Sequence, residues 1–204
     1  EAGGDGVDTA SYRNSQVGVV VYLSNGRTLN GEAEGDTLFG IENLVGSPFL
    51  DRFKGNELAN HLEGGNGTDI LDGIQGDDSI NGGNGGDVLI GGAGFDTLTG
   101  GSGPDRFRFN FVRSGTDIIT DFNPAEGDVI QIRGRAFGSG LVRGPLAVEQ
   151  FVLGSTAQDA DDRFMYDPTS GDLFFDSNGN AAGQRVHLAT LNGAPTLDHS
   201  FIQV

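Results

Sequence analysis

One residue type recurs at a fixed interval through the middle of the chain. Asp51, Asp69, Asp78, Asp87, Asp96 and Asp105 fall in a single nine-residue frame, and Asn60 takes the same place once. Two residues after each of them stands a large apolar side chain: Phe53, Leu62, Leu71, Ile80, Leu89, Leu98 and Phe107. From Gly46 to Arg108 the segment reads GSPFLDRFK, GNELANHLE, GGNGTDILD, GIQGDDSIN, GGNGGDVLI, GGAGFDTLT and GGSGPDRFR, the pattern G-G-x-G-x-D-x-U-x with U apolar. Regular carboxylates set in glycine-rich turns suit one chemistry best. Tight turns point carbonyl oxygens inwards, and carboxylate plus carbonyl is a coordination set for Ca²⁺. Magnesium fits less well, because it demands stricter octahedral geometry and keeps its waters.

The elements that position these residues follow from the same frame. Six places (GGxGxD) are turn chemistry, where glycine reaches backbone angles other residues resist. The remaining three (xUx) can be strand, but a three-residue strand cannot stand alone, so the units must stack. With two units per coil, residues 18 apart lie in the same parallel sheet, about 4.8 Å from each other. The apolar places then form two inward files, Phe53–Leu71–Leu89–Phe107 and Leu44–Leu62–Ile80–Leu98. The same stacking sets Asp69 beside Asp87, Asp78 beside Asp96, and Asp87 beside Asp105. Two such charges ~5 Å apart repel by about 3 kcal/mol at an effective dielectric near 20. A cation between them removes that penalty, so binding and folding are expected to be coupled.

The turns are not equivalent. Those at 64–69, 82–87, 91–96 and 100–105 match the pattern fully, while 73–78 carries Ile74 in place of the second glycine. The ligand positions expected from them are Gly64, Asn66 and Asp69; Gly73, Gln75 and Asp78; Gly82, Asn84 and Asp87; Gly91, Ala93 and Asp96; and Gly100, Ser102 and Asp105. Alternate turns pair, so three strong ions are expected, between turns 64 and 82, 73 and 91, and 82 and 100. Sites that use Asp51 or Asn60 are expected to be weaker or empty. Asp8, in the lone repeat Gly3–Ala10, is a further weak candidate. So are Asp117, Asp121 and Asp128, which could together hold one additional ion.

Composition narrows the rest. The 204 residues carry a net charge of -17, which argues against nucleic acid and against an anionic membrane surface as partners. Cysteine is absent, so disulfides and thiolate metal sites are too. No apolar run approaches a membrane span. The histidines, His61, His187 and His199, are scattered, and neither H-E-x-x-H nor G-x-S-x-G occurs. No G-x-G-x-x-G sits between a strand and a helix, which leaves out a dinucleotide loop. A flexible acidic linker would explain the glycine content but not an aspartate and an aliphatic fixed in one frame.

The expected organisation is all-β, in three segments. Residues 1–45 hold a partial repeat and a β-hairpin, Val17–Leu23 with the turn Asn25-Gly26, covering one end of the stack. The partners of the partial repeat are expected upstream, as in a fragment of a longer protein that keeps its own C-terminus. Residues 46–115 form the parallel roll, with Phe107, Phe109 and Phe111 alternating at its end. Residues 116–204 form a β cap, with strands at 116–122, 128–132, 151–153, 163–166, 172–176, 185–191 and 201–204. His61 and His187 are expected at the surface, and Asp176–Asn180 as a tight polar turn.

Three blocks together resemble the C-terminal portion of RTX (hemolysin-type) proteins exported by bacterial type I secretion: the repeats at 64–105, the segment DRFRFNFVRSGTDIITDFNPAEGDVIQI, and the tail FVLGSTAQDADDRFMYDPTSGDLFFDSNGNAAGQRVHLATL. The resemblance covers most of the chain from about residue 36. It implies a right-handed parallel β-roll with ions between successive turns. It also implies an uncleaved export signal in the C-terminal region, a type I transporter as partner, and folding outside a Gram-negative cell where calcium is high. The passenger activities of that family have no motif in this chain. It is therefore expected to be a non-catalytic calcium-dependent folding and secretion module. The alternatives are an adhesive or polysaccharide-binding module, or the last part of a secreted enzyme whose active site lies upstream. Against the adhesive reading, Tyr12, Tyr22 and Tyr166 are few and not clustered in sequence.

Overall fold

The computed structural model describes residues 3–112, 115–138, 140–179 and 185–204. The chain first lays down β1 (Thr9–Ser11), β2 (Val20–Tyr22), β3 (Arg27–Leu29), β4 (Asn43–Val45) and β5 (Arg52–Lys54). The repeats supply β6 (His61–Gly67), β7 (Ile70–Gln75), β8 (Ser79–Gly85), β9 (Val88–Ala93), β10 (Thr97–Ser102) and β11 (Arg106–Phe109). Then come β12 (Asp117–Ile119), β13 (Val129–Ile132), β14 (Phe151–Leu153), β15 (Phe164–Asp167), β16 (Asp172–Asp176), β17 (Arg185–Leu191) and β18 (Ile202–Gln203). One four-residue helix, Gly134–Phe137, interrupts them. None of the described helices is long and apolar enough to cross a membrane.

Two sheets result. One runs β1-β4-β6-β8-β10-β12-β17-β16-β15-β14, the other β18-β13-β11-β9-β7-β5-β2-β3. Successive repeats alternate between them, so neighbours in a sheet are 18 residues apart: Leu62 faces Ile80, and Leu71 faces Leu89. The chain is a parallel β-roll, as the frame requires.

The inward files are longer than the repeats. One runs Ala10, Leu44, Leu62, Ile80, Leu98, Ile119, Leu191. The other runs Val21, Phe53, Leu71, Leu89, Phe107, Ile130, Ile202. Every member is buried. Between two thin sheets these side chains are the core of the roll. Replacing the fully buried Leu71 by alanine in the calcium-loaded protein is therefore expected to cost about 2–5 kcal/mol. Urea denaturation measures it, and a loss below 1 kcal/mol would contradict a core this narrow.

Three expectations need correction. The partial repeat at the start has a partner within this chain, downstream of it: β1 pairs in parallel with β4. The hairpin β2–β3 does more than cover an end, since β2 pairs in parallel with β5 and so forms a rung of the roll. Phe111 does not continue the alternation of Phe107 and Phe109. The strand stops at Phe109, and Phe111 is 59% exposed where the chain leaves the sheet. The three expected segments also share both sheets, which run through positions 45 and 115 without a break.

The C-terminal strands change texture. β16 pairs antiparallel with both β15 and β17, and the three strands build an aromatic core. Phe175 packs edge-on against Phe137 at 5.0 Å and, tilted, against Phe164 at 5.1 Å. The buried Tyr166 donates its hydroxyl to Pro195 O at 2.6 Å. This unit ends one sheet with bulk that the slender roll lacks.

Candidate functional site

The turns stack along the two edges of the roll and bring the aspartates into two files. In each, a backbone N–H donates to the carboxylate one coil further on. On one edge Val19, Asp51, Asp69, Asp87 and Asp105 donate in turn to Asp51, Asp69, Asp87, Asp105 and Asp128, at 2.7–2.9 Å. On the other, Asn60, Asp78 and Asp96 donate to Asp78, Asp96 and Asp117. Asp8 N–H donates to Glu42 Oε2 at 2.9 Å, so Glu42 takes the aspartate place at the start of that file. These bonds use Oδ1 of each aspartate in the files.

The second oxygen divides the turns into two groups. Oδ2 of Asp69, Asp78, Asp87, Asp96 and Asp105 is buried and has no hydrogen-bond partner. In the remaining turns the equivalent oxygen is capped by the turn's own second residue. Gly4 N–H reaches Asp8 Oδ2 (2.8 Å), Ser47 N–H reaches Asp51 Oδ2 (2.6 Å), and Asn56 N–H reaches Asn60 Oδ1 (2.8 Å). The backbone angle of that second residue accounts for the split. Gly65, Ile74, Gly83, Gly92 and Gly101 all have positive φ, between 80° and 112°, and their aspartates are bare. Gly4, Ser47 and Asn56 lie outside that region, and their N–H turns onto the side chain.

A buried carboxylate oxygen without a partner is costly unless a cation or a proton meets it. Space for a cation exists. A Cβ placed on Gly64 would lie 2.5 Å from Asp69 Oδ2 and 2.5 Å from Gly82 O. On Gly73 it would lie 2.0 Å from Asp78 Oδ2 and 2.6 Å from Gly91 O, and on Gly82 2.4 Å from Asp87 Oδ2 and 2.6 Å from Gly100 O. Each first glycine thus leaves open a cradle between its own carboxylate and a carbonyl of the next coil. Among the described residues no three acidic or histidine side chains converge on a point. The other oxygens at these cradles are backbone carbonyls, those of Gly82, Gly91 and Gly100. The third-place residues Asn66, Gln75, Asn84, Ala93 and Ser102 are exposed, and Asn84 donates to Asn66 at 2.8 Å. Gly82→Ala would place a methyl group in one cradle. It is expected to abolish one calcium per chain in an equilibrium titration while leaving the others, and unchanged stoichiometry would contradict the cradle.

Burial raises these carboxyls well above the ordinary carboxylate range. Asp69 is pushed up to about 8, against the backbone bond from Asp51, with the charges of Asp87 and Asp51 adding to the rise. Asp78 and Asp105 reach about 7 for the same leading reason. Asp117 reaches about 8, by burial and then by the charge of Asp96.

Ile74 is the irregular member. It holds φ 80°, a region that a β-branched side chain resists, because the stack of glycine turns around it imposes that geometry. Ile74→Gly is expected to stabilise the calcium-loaded protein by about 1 kcal/mol. Thermal unfolding checks this, and a lower Tm would mean that the side chain's packing outweighs the strain.

Asp117, Asp121 and Asp128 do not form one site. Asp117 continues one file beside Asp96, and Asp128 continues the opposite one beside Asp105. Asp121 is occupied with the N–H groups of Gly100 and Gly101, and Asp128 Oδ2 with that of Asn123. The roles of Asp117 and Asp128 as successive rungs are concealed by spacing, at 21 and 23 residues instead of 18. The short signals Gly115-Thr116-Asp117 and Gly127-Asp128, each followed by an apolar residue two places on, mark them in retrospect. Glu42 keeps the regular spacing, 18 residues before Asn60, and was missed because a glutamate stands where the pattern has aspartate. His61 is exposed as expected. His187 is not simply a surface residue: it stacks on Phe174 at 4.7 Å and lies 3.2 Å from Asp172. Asp176 Oδ1 accepts from Asn178 and Gly179 N–H, which makes the polar turn, while Asn180 lies outside the described residues.

A parallel β-roll whose glycine turns present bare carboxylates is the class that fold and site define. The family model of the RTX calcium-binding nonapeptide repeat (4 copies) matches residues 45–80, 54–89 and 81–109. Residues 45–109 of the chain thus carry RTX repeats of the calcium-binding kind. Among solved structures, the solution structure of the AlgE6R3 subunit from the Azotobacter vinelandii mannuronan C5-epimerase is 26% identical. The match covers 76% of this chain and 77% of that chain, with a TM-score of 0.32. At that score the superposition is loose, and the roll is defined here by its strand register. No curated protein sequence matches the chain.

Proposed function

We propose that the chain is a non-catalytic module of a larger exported protein, one that folds when it meets calcium outside the cell. The observation that carries this reading is the set of five buried, unpartnered carboxylate oxygens at the open glycine cradles. Three cradles pair a bare carboxylate with a facing carbonyl, at Gly64, Gly73 and Gly82. They support three strong ions, between turns 64 and 82, 73 and 91, and 82 and 100. Asp69, Asp78 and Asp87 supply the charge, and the backbone of the glycine turns supplies the other oxygens. Bound Ca²⁺ sets positive charge against carboxylates that otherwise repel along each file. Asp8, Asp51 and Asn60 already have their oxygens capped, so turns 3, 46 and 55 make weak sites at most.

Without the ion the files oppose folding, and the core is too narrow to compensate. A chain of this kind stays loose where calcium is scarce, which suits passage through a type I transporter, with the export signal in the C-terminal segment. Circular dichroism of the metal-free protein with added Ca²⁺ tests the folding step. The β signal is expected to appear with calcium and vanish with chelator. A signal that chelator leaves untouched would refute the mechanism.

A further inference from the structure

The chain has only 12 lysines and arginines against 29 acids, yet the fold gathers most of these cations on one side. On the outward face of the shorter sheet, strand register sets two rows across the roll. One row reads Val20, Arg52, Ile70, Val88, Arg106, Val129. The other reads Tyr22, Lys54, Asp72, Ile90, Arg108, Gln131, Gln203. Asp72 is the single acid in both rows, and Lys54 holds it at 3.3 Å. Arg27 and Lys54 lie over the Tyr22 ring at 5.5 and 5.7 Å. Beyond Arg108 the face runs into a cleft of about 660 Å³ lined by Arg108, Arg133, Arg135 and Arg143. Eight of the twelve cations therefore stand on this face or in its cleft.

Such a gathering is unfavourable without an anion. Arg108 is half-buried, and its Nε donates to Gln131 Oε1 at 2.6 Å, which fixes the guanidinium in place. Burial lowers its ordinary value, and the charges of Arg106, Arg133 and Arg52 push the same way, opposed by Asp72. The planar guanidinium fork suits carboxylate bidentately. The cationic strands β5 and β11 are three strand spacings apart, ~14 Å, with half-buried Ile70 and buried Val88 and Ile90 between them. That layout fits an extended chain that carries its charges at intervals. A nucleic acid fits poorly. Tyr22 is the one aromatic in the two rows, and stacking platforms need several. The acidic remainder of the molecule also repels a backbone with one charge per ~1.7 Å.

We propose that this arginine-lined face and its cleft bind an acidic polysaccharide through its carboxylates. The face exists only in the folded roll, so the inference rests on the calcium-driven folding proposed above. The test uses the full chain saturated with Ca²⁺, its fold checked by circular dichroism, and fluorescently labelled carboxymethyl-dextran as probe. Binding is expected to weaken with rising salt, and unmodified dextran is expected not to bind. The exposed set Arg133→Gln, Arg135→Gln and Arg143→Gln is expected to weaken binding roughly tenfold to hundredfold. Arg13→Gln, on the opposite sheet, should leave it unchanged. A folded protein that binds dextran equally, prefers oligothymidylate, or is indifferent to the triple substitution overturns this inference alone. A chain that stays unfolded in calcium overturns the folding reading and this inference with it.

Discussion

Asp87→Ala is expected to raise the calcium concentration needed for folding far more than Asp51→Ala does. Asp87 stands in the middle of its file. Its Oδ1 accepts from Asp69 N–H, its own N–H donates to Asp105, and its Oδ2 is bare. It therefore lines the cradle at Gly82 and ties that turn by hydrogen bonds to the turns on both sides. Removing one charged oxygen partner costs about 1.5–3 kcal/mol, which corresponds to roughly a tenfold to hundredfold shift in the calcium midpoint. Asp51 has no bare oxygen: Ser47 caps Oδ2 with its N–H and Oδ1 with its hydroxyl. Its loss removes a structural acceptor but no ligand. Asp87→Asn separates the two roles, because the amide oxygen can still accept the Asp69 N–H while the charge is gone. Calcium titration followed by circular dichroism reads all three variants. Equal midpoints for the Asp51 and Asp87 substitutions would sink the division between bare and capped turns.

The second large effect is on pH, in the metal-free protein. The folded-state values of Asp69, Asp78 and Asp105, about 8, 7 and 7, lie above the ordinary 3.8. Between those limits the roll binds more protons than the unfolded chain. The stability that these groups contribute is therefore fully present below about pH 4 and is lost as pH rises through 7 to 8. Each unit of difference is worth about 1.4 kcal/mol. Without calcium, acidification from pH 8 to pH 5 is expected to restore β structure, and the same change should weaken calcium binding. The combined substitution of Asp69, Asp78 and Asp105 by asparagine is expected to flatten this dependence, leaving the metal-free chain more ordered at pH 8. Greater order at pH 8 than at pH 5 in the metal-free wild type would be incompatible with buried, uncompensated carboxylates.

The sequence by itself determined the roll, the register and both inward files. A nine-residue unit with one apolar place and two units per coil leaves one way to bury Leu62 against Ile80 and Leu71 against Leu89. It also set the turns at 64–105 apart from those at 46 and 55, because glycine spacing and the aspartate are local properties. It could not reveal Asp117 and Asp128 as rungs, since their spacing breaks the frame and only the pairing of β12 and β13 restores it, and Glu42, though in frame, was hidden by its residue type. Nor could it decide which oxygens stay bare. That depends on the sign of one backbone angle, which the stack imposes even on Ile74 against its own preference. The arginine face lay deepest. Arg52, Arg106 and Arg133 are far apart in a chain of net charge -17, and composition argued only against polyanions. Tertiary structure reversed that locally, because parallel stacking turns residues scattered along the sequence into one surface, and charge acts through distance in space.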